Sequence, residues 1–170
     1  MLKLPTAQEY PSYFENYIRL VPDSDVKEML AKQQEETEAL LSSISEADAN
    51  YRYAPEKWML KEVIGHIIDT ERIMCYRLLH IARGDKTPIA GYDVDQYVKE
   101  ALFPEQSLRN LIENYTAVRM ATLTLLRTLP EGVWERSGFA NNGVVSVRAL
   151  AYIMAGHELH HLNIIKERYL

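Results

Sequence analysis

The sequence predicts an all-α fold, a four-helix bundle preceded by a short N-terminal helix. Three observations carry this expectation. Apolar residues recur at three- and four-residue spacing along four long stretches, the mark of amphipathic helices rather than strands. Glycine and proline number only seven each among 170 residues and punctuate those stretches rather than pervading them. No alternation of strand and helix patterns, no internal repeat and no low-complexity tract is found, so helix packing on helix is left to bury the apolar stripes.

The elements follow in order. A short tyrosine-rich helix is expected over Ala7–Leu20, ended by Pro22. Val26, Leu30, Gln33, Thr37, Leu40, Leu41 and Ile44 mark the next helix, capped by Asp23 or Ser24. A third runs from Met59 to Arg83 along Val63, Ile64, Ile67, Met74, Leu78 and Leu79, with Gly84 as its stop. Thr87–Asp93 reads as a loop leading into a short helical turn through Val98. Pro104 or Ser107 opens a helix along Leu108, Leu111, Tyr115, Val118, Leu123 and Leu126, which ends before Pro130. Asn141-Asn142-Gly143 is a turn signal and, beside Val144 and Val145, predicts a small hairpin. Ser146 caps the last helix, which continues close to Leu170.

Bulk properties narrow the class. The length suits a single domain over residues 1–170. A net charge of −5 argues against a nucleic-acid partner, which calls for a basic surplus. No apolar run approaches the ~20 residues of a membrane span, and the N-terminal residues lack a signal peptide's apolar segment. Cys75 is the one cysteine, so no internal disulfide can form; together these features point to a cytoplasmic protein with no membrane partner.

The chemistry is concentrated near the end of the chain. His157-Glu158-Leu159-His160-His161 places two imidazoles four residues apart, and so on one helical face. That face also carries Leu150, Ile153, Met154, Ile164 and Ile165, so His157 and His161 point into the bundle. An unsatisfied buried polar group costs ~1–3 kcal/mol, and one shared divalent metal satisfies both rings. A catalytic metal takes three protein ligands and keeps a position open. His66, mid-helix beside Val63 and Ile67, is the choice for the third. His80 lies roughly 21 Å further along that helix, near Gly84, where the helix dipole or solvent suits it. Glu62, Asp69 and Thr70 lie one turn from His66, placed either to orient its ring or to serve their own helix, Glu62 as a cap and Asp69 as a partner of Arg72. Glu158 and Asp69 are the candidate proton carriers. Cys75 points to the opposite face and reads as packing.

His157–His161 also fits H-E-x-x-H, the helix of a zinc peptidase. The extended form fails, because its downstream glycine and histidine positions hold Ile164 and Glu167. A peptidase would also want an edge strand to align its substrate, and Glu158 sits about 100° from His157. That reading is the weaker one.

Two separated motifs then give a resemblance. Trp58, Glu62, His66 and Asp69 at their spacings, within Trp58–Arg72, resemble the tryptophan–glutamate–histidine–carboxylate helix of the DinB superfamily. Gly156-His157-Glu158-Leu159-His160-His161 resembles its closing helix, and the separation of about ninety residues and the Pro88–Asp93 loop agree. The resemblance covers the chain from about residue 20 onward. It implies a four-helix bundle holding a divalent metal at one end through His66, His157 and His161. It also implies kinship with thiol S-transferases that use bacillithiol or mycothiol, and with a mycothiol-dependent isomerase. Met59 departs from the family's serine or threonine cap, so Glu62 is expected to reach back to free backbone N–H groups instead.

The resulting expectation is a metal-dependent thiol S-transferase or hydrolase of a small-molecule substrate. Zinc or nickel, or else iron, would be the ion, with a low-molecular-weight thiol as a further cofactor. The alternative is a non-catalytic metal-binding stress or interaction protein, a homodimer through exposed helix faces. Imidazole suits several divalent metals alike, so the sequence does not choose among them.

Overall fold

A computed structural model describes residues 2–170. Its bundle consists of α2 (Val26–Ser42), α3 (Leu60–Ala82), α5 (Leu108–Arg127) and α6 (Val147–Arg168). Two short helices, α1 (Glu15–Ile18) and α4 (Val94–Glu100), and a hairpin of β1 (Ser137–Ala140) and β2 (Gly143–Ser146) complete it. α2 and α3 each pack against both α5 and α6, so α2 lies diagonally opposite α3 and α5 opposite α6, while α3 and α5 are neighbours. The long connections from α2 to α3, residues 43–59, and from α5 to α6, residues 128–146, permit this; short loops would force sequence neighbours side by side.

Local chemistry explains each boundary. The expected helix over Ala7–Leu20 shrinks to a 3-10 turn at Ser12–Phe14 and the single turn of α1. Pro11 disfavours helical backbone at the residue before it, so a helix cannot run through from Ala7. Asp25, rather than Asp23 or Ser24, caps α2 by accepting the Lys27 N–H at 3.0 Å. At α3, Glu62 reaches back and accepts the Met59 N–H at 2.6 Å, replacing the cap that Met59 cannot provide. Gly84 ends α3 with φ +83°, the left-handed backbone that favours glycine. Ser107, not Pro104, caps α5, and Ser146 caps α6 by accepting the Ala149 N–H at 3.0 Å. Asn141 and Asn142 take φ of 48° and 62°, the pair of positive values a tight hairpin needs.

The core divides into two apolar clusters, one around Leu30, Leu78, Leu126 and Ile153, the other around Leu41, Ile64, Leu111 and Ile165. Between them a polar layer crosses all four bundle helices, with Thr37, Glu71, Arg119 and Glu158 all buried. The candidate site opens beside this layer.

Candidate metal centre

α3 contributes His66 and α6 contributes His157 and His161, and one ring nitrogen from each lies within 4.8 Å of the other two. His66 Nε2 and His157 Nε2 are 2.9 Å apart. His66 and His157 are buried and His161 is half-buried. Two glycines permit the approach of the walls. A Cβ at Gly65 would lie 2.4 Å from the Phe103 ring, and one at Gly156 would lie 2.0 Å from the Tyr17 carbonyl oxygen. Gly156 thus lets α1 press onto α6, which sets the Tyr17 ring against His157 and His160, each at 5.3 Å between centroids.

Burial, reinforced by the charge of His160, holds the His66 imidazole down from 6.5 to about 4. His161 falls to about 3, and His157 is pushed well below its ordinary value, burial again leading. All three rings are therefore neutral at pH 7 and offer lone pairs. Thr70 Oγ1 lies 3.4 Å from His66 Nδ1 and 3.1 Å from the Tyr92 hydroxyl. A proton kept on Nδ1 by Thr70 leaves Nε2 bare and aimed at its two neighbours. Three desolvated neutral nitrogens facing one point, with no carboxylate among them, are a donor set suited to a divalent transition metal.

The other sequence-selected residues lie elsewhere. Asp69 pairs with Arg72 at 3.4 Å, its carboxyl raised by burial and eased down by that arginine. Glu62 is spent on the α3 cap. His80 lies 2.9 Å from the Thr87 carbonyl oxygen, consistent with a hydrogen bond from its ring N–H. Burial raises the Cys75 thiol, which keeps it protonated and packed against the core. Glu158 turns into the polar layer. Its carboxylate accepts from Thr37 and Tyr115 hydroxyls, each at 2.6 Å, and from Arg119. Neither Glu158 nor Asp69 borders the two cavities that the imidazoles line. A zinc peptidase needs its helix glutamate beside the metal, and Glu158 is held among α2, α3 and α5 instead.

The larger of those cavities measures about 490 Å³ and reaches from His66, His157 and His161 to Thr70, Tyr92 and Arg77. A smaller one of about 270 Å³ shares Trp58 and His161 with it. The N-terminal segment supplies Tyr13, Phe14 and Tyr17 to the larger wall. The Thr87–Asp93 loop brings Tyr92, anchored where Ile89 bridges to Ala140 of the hairpin. These wall residues escaped the sequence reading. Arg77 alone had a local signal, because it follows His66 by eleven residues and shares its helical face.

The sequence profile of the DinB superfamily matches residues 29–165. No curated protein matches at a significant level. Among solved structures, the chain is similar to YfiT from Bacillus subtilis, described as a probable metal-dependent hydrolase with an unusual four-helix bundle topology. The TM-score is 0.71 at 14% identity, over 96% of this chain and 89% of that one. It is also similar to a mycothiol-dependent maleylpyruvate isomerase, with a TM-score of 0.69 at 13% identity. That match covers 85% of this chain and 61% of the isomerase. At such identities the likeness establishes the fold.

Proposed function

Since the chain belongs to the DinB superfamily, we propose that it is a metal-dependent enzyme, a thiol S-transferase or hydrolase, acting on a small molecule in the 490 Å³ cavity. The observation that carries this reading is the convergence of three neutral imidazoles, from helices distant in sequence, on the floor of an open cavity. His66, His157 and His161 would hold the ion, zinc or nickel or else iron, each of which an all-imidazole donor set suits. When bound, such an ion supplies Lewis acidity that favours deprotonation of a water or a thiol near neutral pH.

The chain's own residues do the rest. Thr70 orients His66. Tyr17 meets the His157 ring edge-on and Trp58 packs at a tilt against His66, 5.0 Å between centroids, so both hold the imidazoles in place. Proton movement falls to groups that border the cavity, among them the hydrogen-bonded Thr70–Tyr92 hydroxyl pair. Burial raises the Tyr92 hydroxyl above its ordinary value, so it stays a proton donor at pH 7. A purely metal-storing protein would have no use for this adjoining space, which favours catalysis over the non-catalytic alternative. The fold's resemblance to a mycothiol-dependent isomerase supports a low-molecular-weight thiol as co-substrate.

Elemental analysis of protein purified without a nickel column should find close to one equivalent of divalent metal. A panel of low-molecular-weight thiols with a soluble electrophile should then be consumed in a metal-dependent manner. His157→Ala should lose the metal and the turnover together. Equal rates for wild type and variant would overturn the proposal.

A further inference from the structure

Two buried arginines sit in this bundle, and only one has a counter-ion. Arg119 grips Glu71 through two bonds of 2.9 and 2.7 Å, and also reaches Glu158 and the Leu30 carbonyl. Arg77 is also shielded, 2% exposed, though it stands at a cavity wall, and it pairs with no carboxylate among the described residues. One Nη donates to the Ala90 carbonyl at 3.2 Å and the other lies 3.7 Å from Met74 Sδ. Its Nε–H has no acceptor among the described residues. The guanidinium sits 5.8 Å from the Tyr92 ring centroid, a cation–π contact that offsets only part of the lost hydration.

A guanidinium cannot shed its proton to escape burial, as a lysine can. An unpaired one inside a fold is therefore strongly unfavourable unless something supplies the missing negative charge. The position of Arg77 says what could do so. It lines the same cavity as the three imidazoles. It stands three turns beyond His66 on the same face of α3, and its side chain leans back over Met74, toward the histidines. That places the guanidinium on the order of 10 Å from the imidazole cluster, at the opposite end of the cavity.

We propose that Arg77 binds the carboxylate of the substrate and holds the molecule across the cavity, with its reacting end at the three imidazoles. The inference rests on the reading of this cavity as a substrate site and narrows the substrate to small carboxylic acids. A planar carboxylate matches the fork of a guanidinium edge, and Nε–H is a free donor of that edge. Lysine could not replace it, because an ammonium offers charge without the fork.

The test uses straight-chain α,ω-dicarboxylates from succinate to suberate, with glutaramide as the neutral control. In zinc-loaded wild type, calorimetry should show one chain length binding best. Arg77→Met should weaken that acid at least tenfold, Arg77→Lys should fall between, and glutaramide should bind weakly to all three. Without ligand, Arg77→Met should melt no lower than wild type, since it removes a charge that nothing in the fold balances. A direct readout needs no variant: the Arg77 Nε–H resonance of wild type should move saturably as butyrate is added. The same movement in His157→Ala protein separates anion recognition from metal binding. Failure of wild type to take up metal would sink the proposed enzyme while this titration still decided Arg77. Unchanged dicarboxylate affinity in Arg77→Met, or an Nε–H resonance indifferent to butyrate, would overturn the assignment.

Discussion

His157 and Glu158 are consecutive residues on one helix, both buried, and their surroundings are opposite in kind. Glu158 sits in a closed network in which Thr37, Tyr115 and Arg119 saturate its oxygens and Arg119 in turn satisfies Glu71. His157 faces two other imidazoles on the floor of an open cavity, its Nε2 2.9 Å from that of His66, so its surroundings are other neutral ring nitrogens rather than a cation. The same division separates Arg119 from Arg77. A polar group whose partners are all within the chain belongs to the scaffold, whereas one left incomplete in a cavity awaits a ligand. Two classes of residue that look alike in a list of buried charges should therefore respond in opposite ways to substitution.

The largest effect is expected on the closed side. Arg119→Met leaves Glu71 and Glu158 facing each other without a cation, and breaking a buried ion pair costs ~3–5 kcal/mol. For a chain of this size that lowers the melting temperature by roughly 10 °C. Below its new midpoint the variant should still take up metal, because no imidazole contacts Arg119. Thermal unfolding beside Arg77→Met, which should melt no lower than wild type, puts the comparison at risk in a single experiment. A melting point for Arg119→Met within a degree or two of wild type would dissolve the distinction between the two arginines.

That distinction also explains what could be read from the sequence. Helix periodicity, the caps at Ser107 and Ser146, the Gly84 stop and the Asn141–Gly143 turn are local effects, and each is legible in a few residues. The histidines were legible for the same reason. His157 and His161 share a face by spacing alone, and His66 was the remaining mid-helix imidazole. The placement of Glu158 was half legible. Its angle on the helix correctly separates it from His157, but the other side of α6 is not solvent. α6 packs against α1, α2 and α3 and is buried from Ala149 through Glu158, so leaving the cavity means entering the core. Tyr17 and Tyr92 reach the site through tertiary contacts, over Gly156 and from the Ile89 bridge, which no local pattern encodes. The N-terminal helix is shorter than its tyrosine-rich stretch suggests because Pro11 disfavours helical backbone at Tyr10.

A smaller effect tests the open side through an orienting contact. Thr70→Val keeps the shape of the side chain but removes the hydroxyl that faces His66 Nδ1. Losing an outer partner of a ligating histidine typically costs 10–100-fold in metal affinity. Chelator competition should show a fall in that range for zinc, with the unloaded protein melting close to wild type, and Thr70→Ser should recover most of the affinity. Wild-type affinity in Thr70→Val would mean that His66 is held by its packing against Trp58 alone.

The smallest expected effect concerns how the scaffold holds the cavity's outer wall. Tyr13, Phe14 and Tyr17 stay in place partly because Glu9, just upstream, is tied to the start of α6. Its carboxylate accepts from Arg148 at 2.6 and 3.0 Å, from Ser146 Oγ at 2.8 Å and from the Thr6 N–H at 2.9 Å. Burial alone would raise this carboxyl, but Arg148, the Thr6 amide and Ser146 together pull it from 4.5 down to about 2. Because the folded value lies below the unfolded one, the stabilisation is complete above roughly pH 4.5 and drains away as pH falls toward 2. Glu9→Gln should therefore cost about 1 kcal/mol at pH 7. Its deficit against wild type should narrow steadily below pH 4.5. Denaturant titrations at pH 7, 4 and 3 read this directly. A deficit that stayed constant across that range would show that the carboxylate's charge contributes nothing to seating the N-terminal wall, leaving the Ser146 N–H bond to the Glu9 carbonyl to hold it.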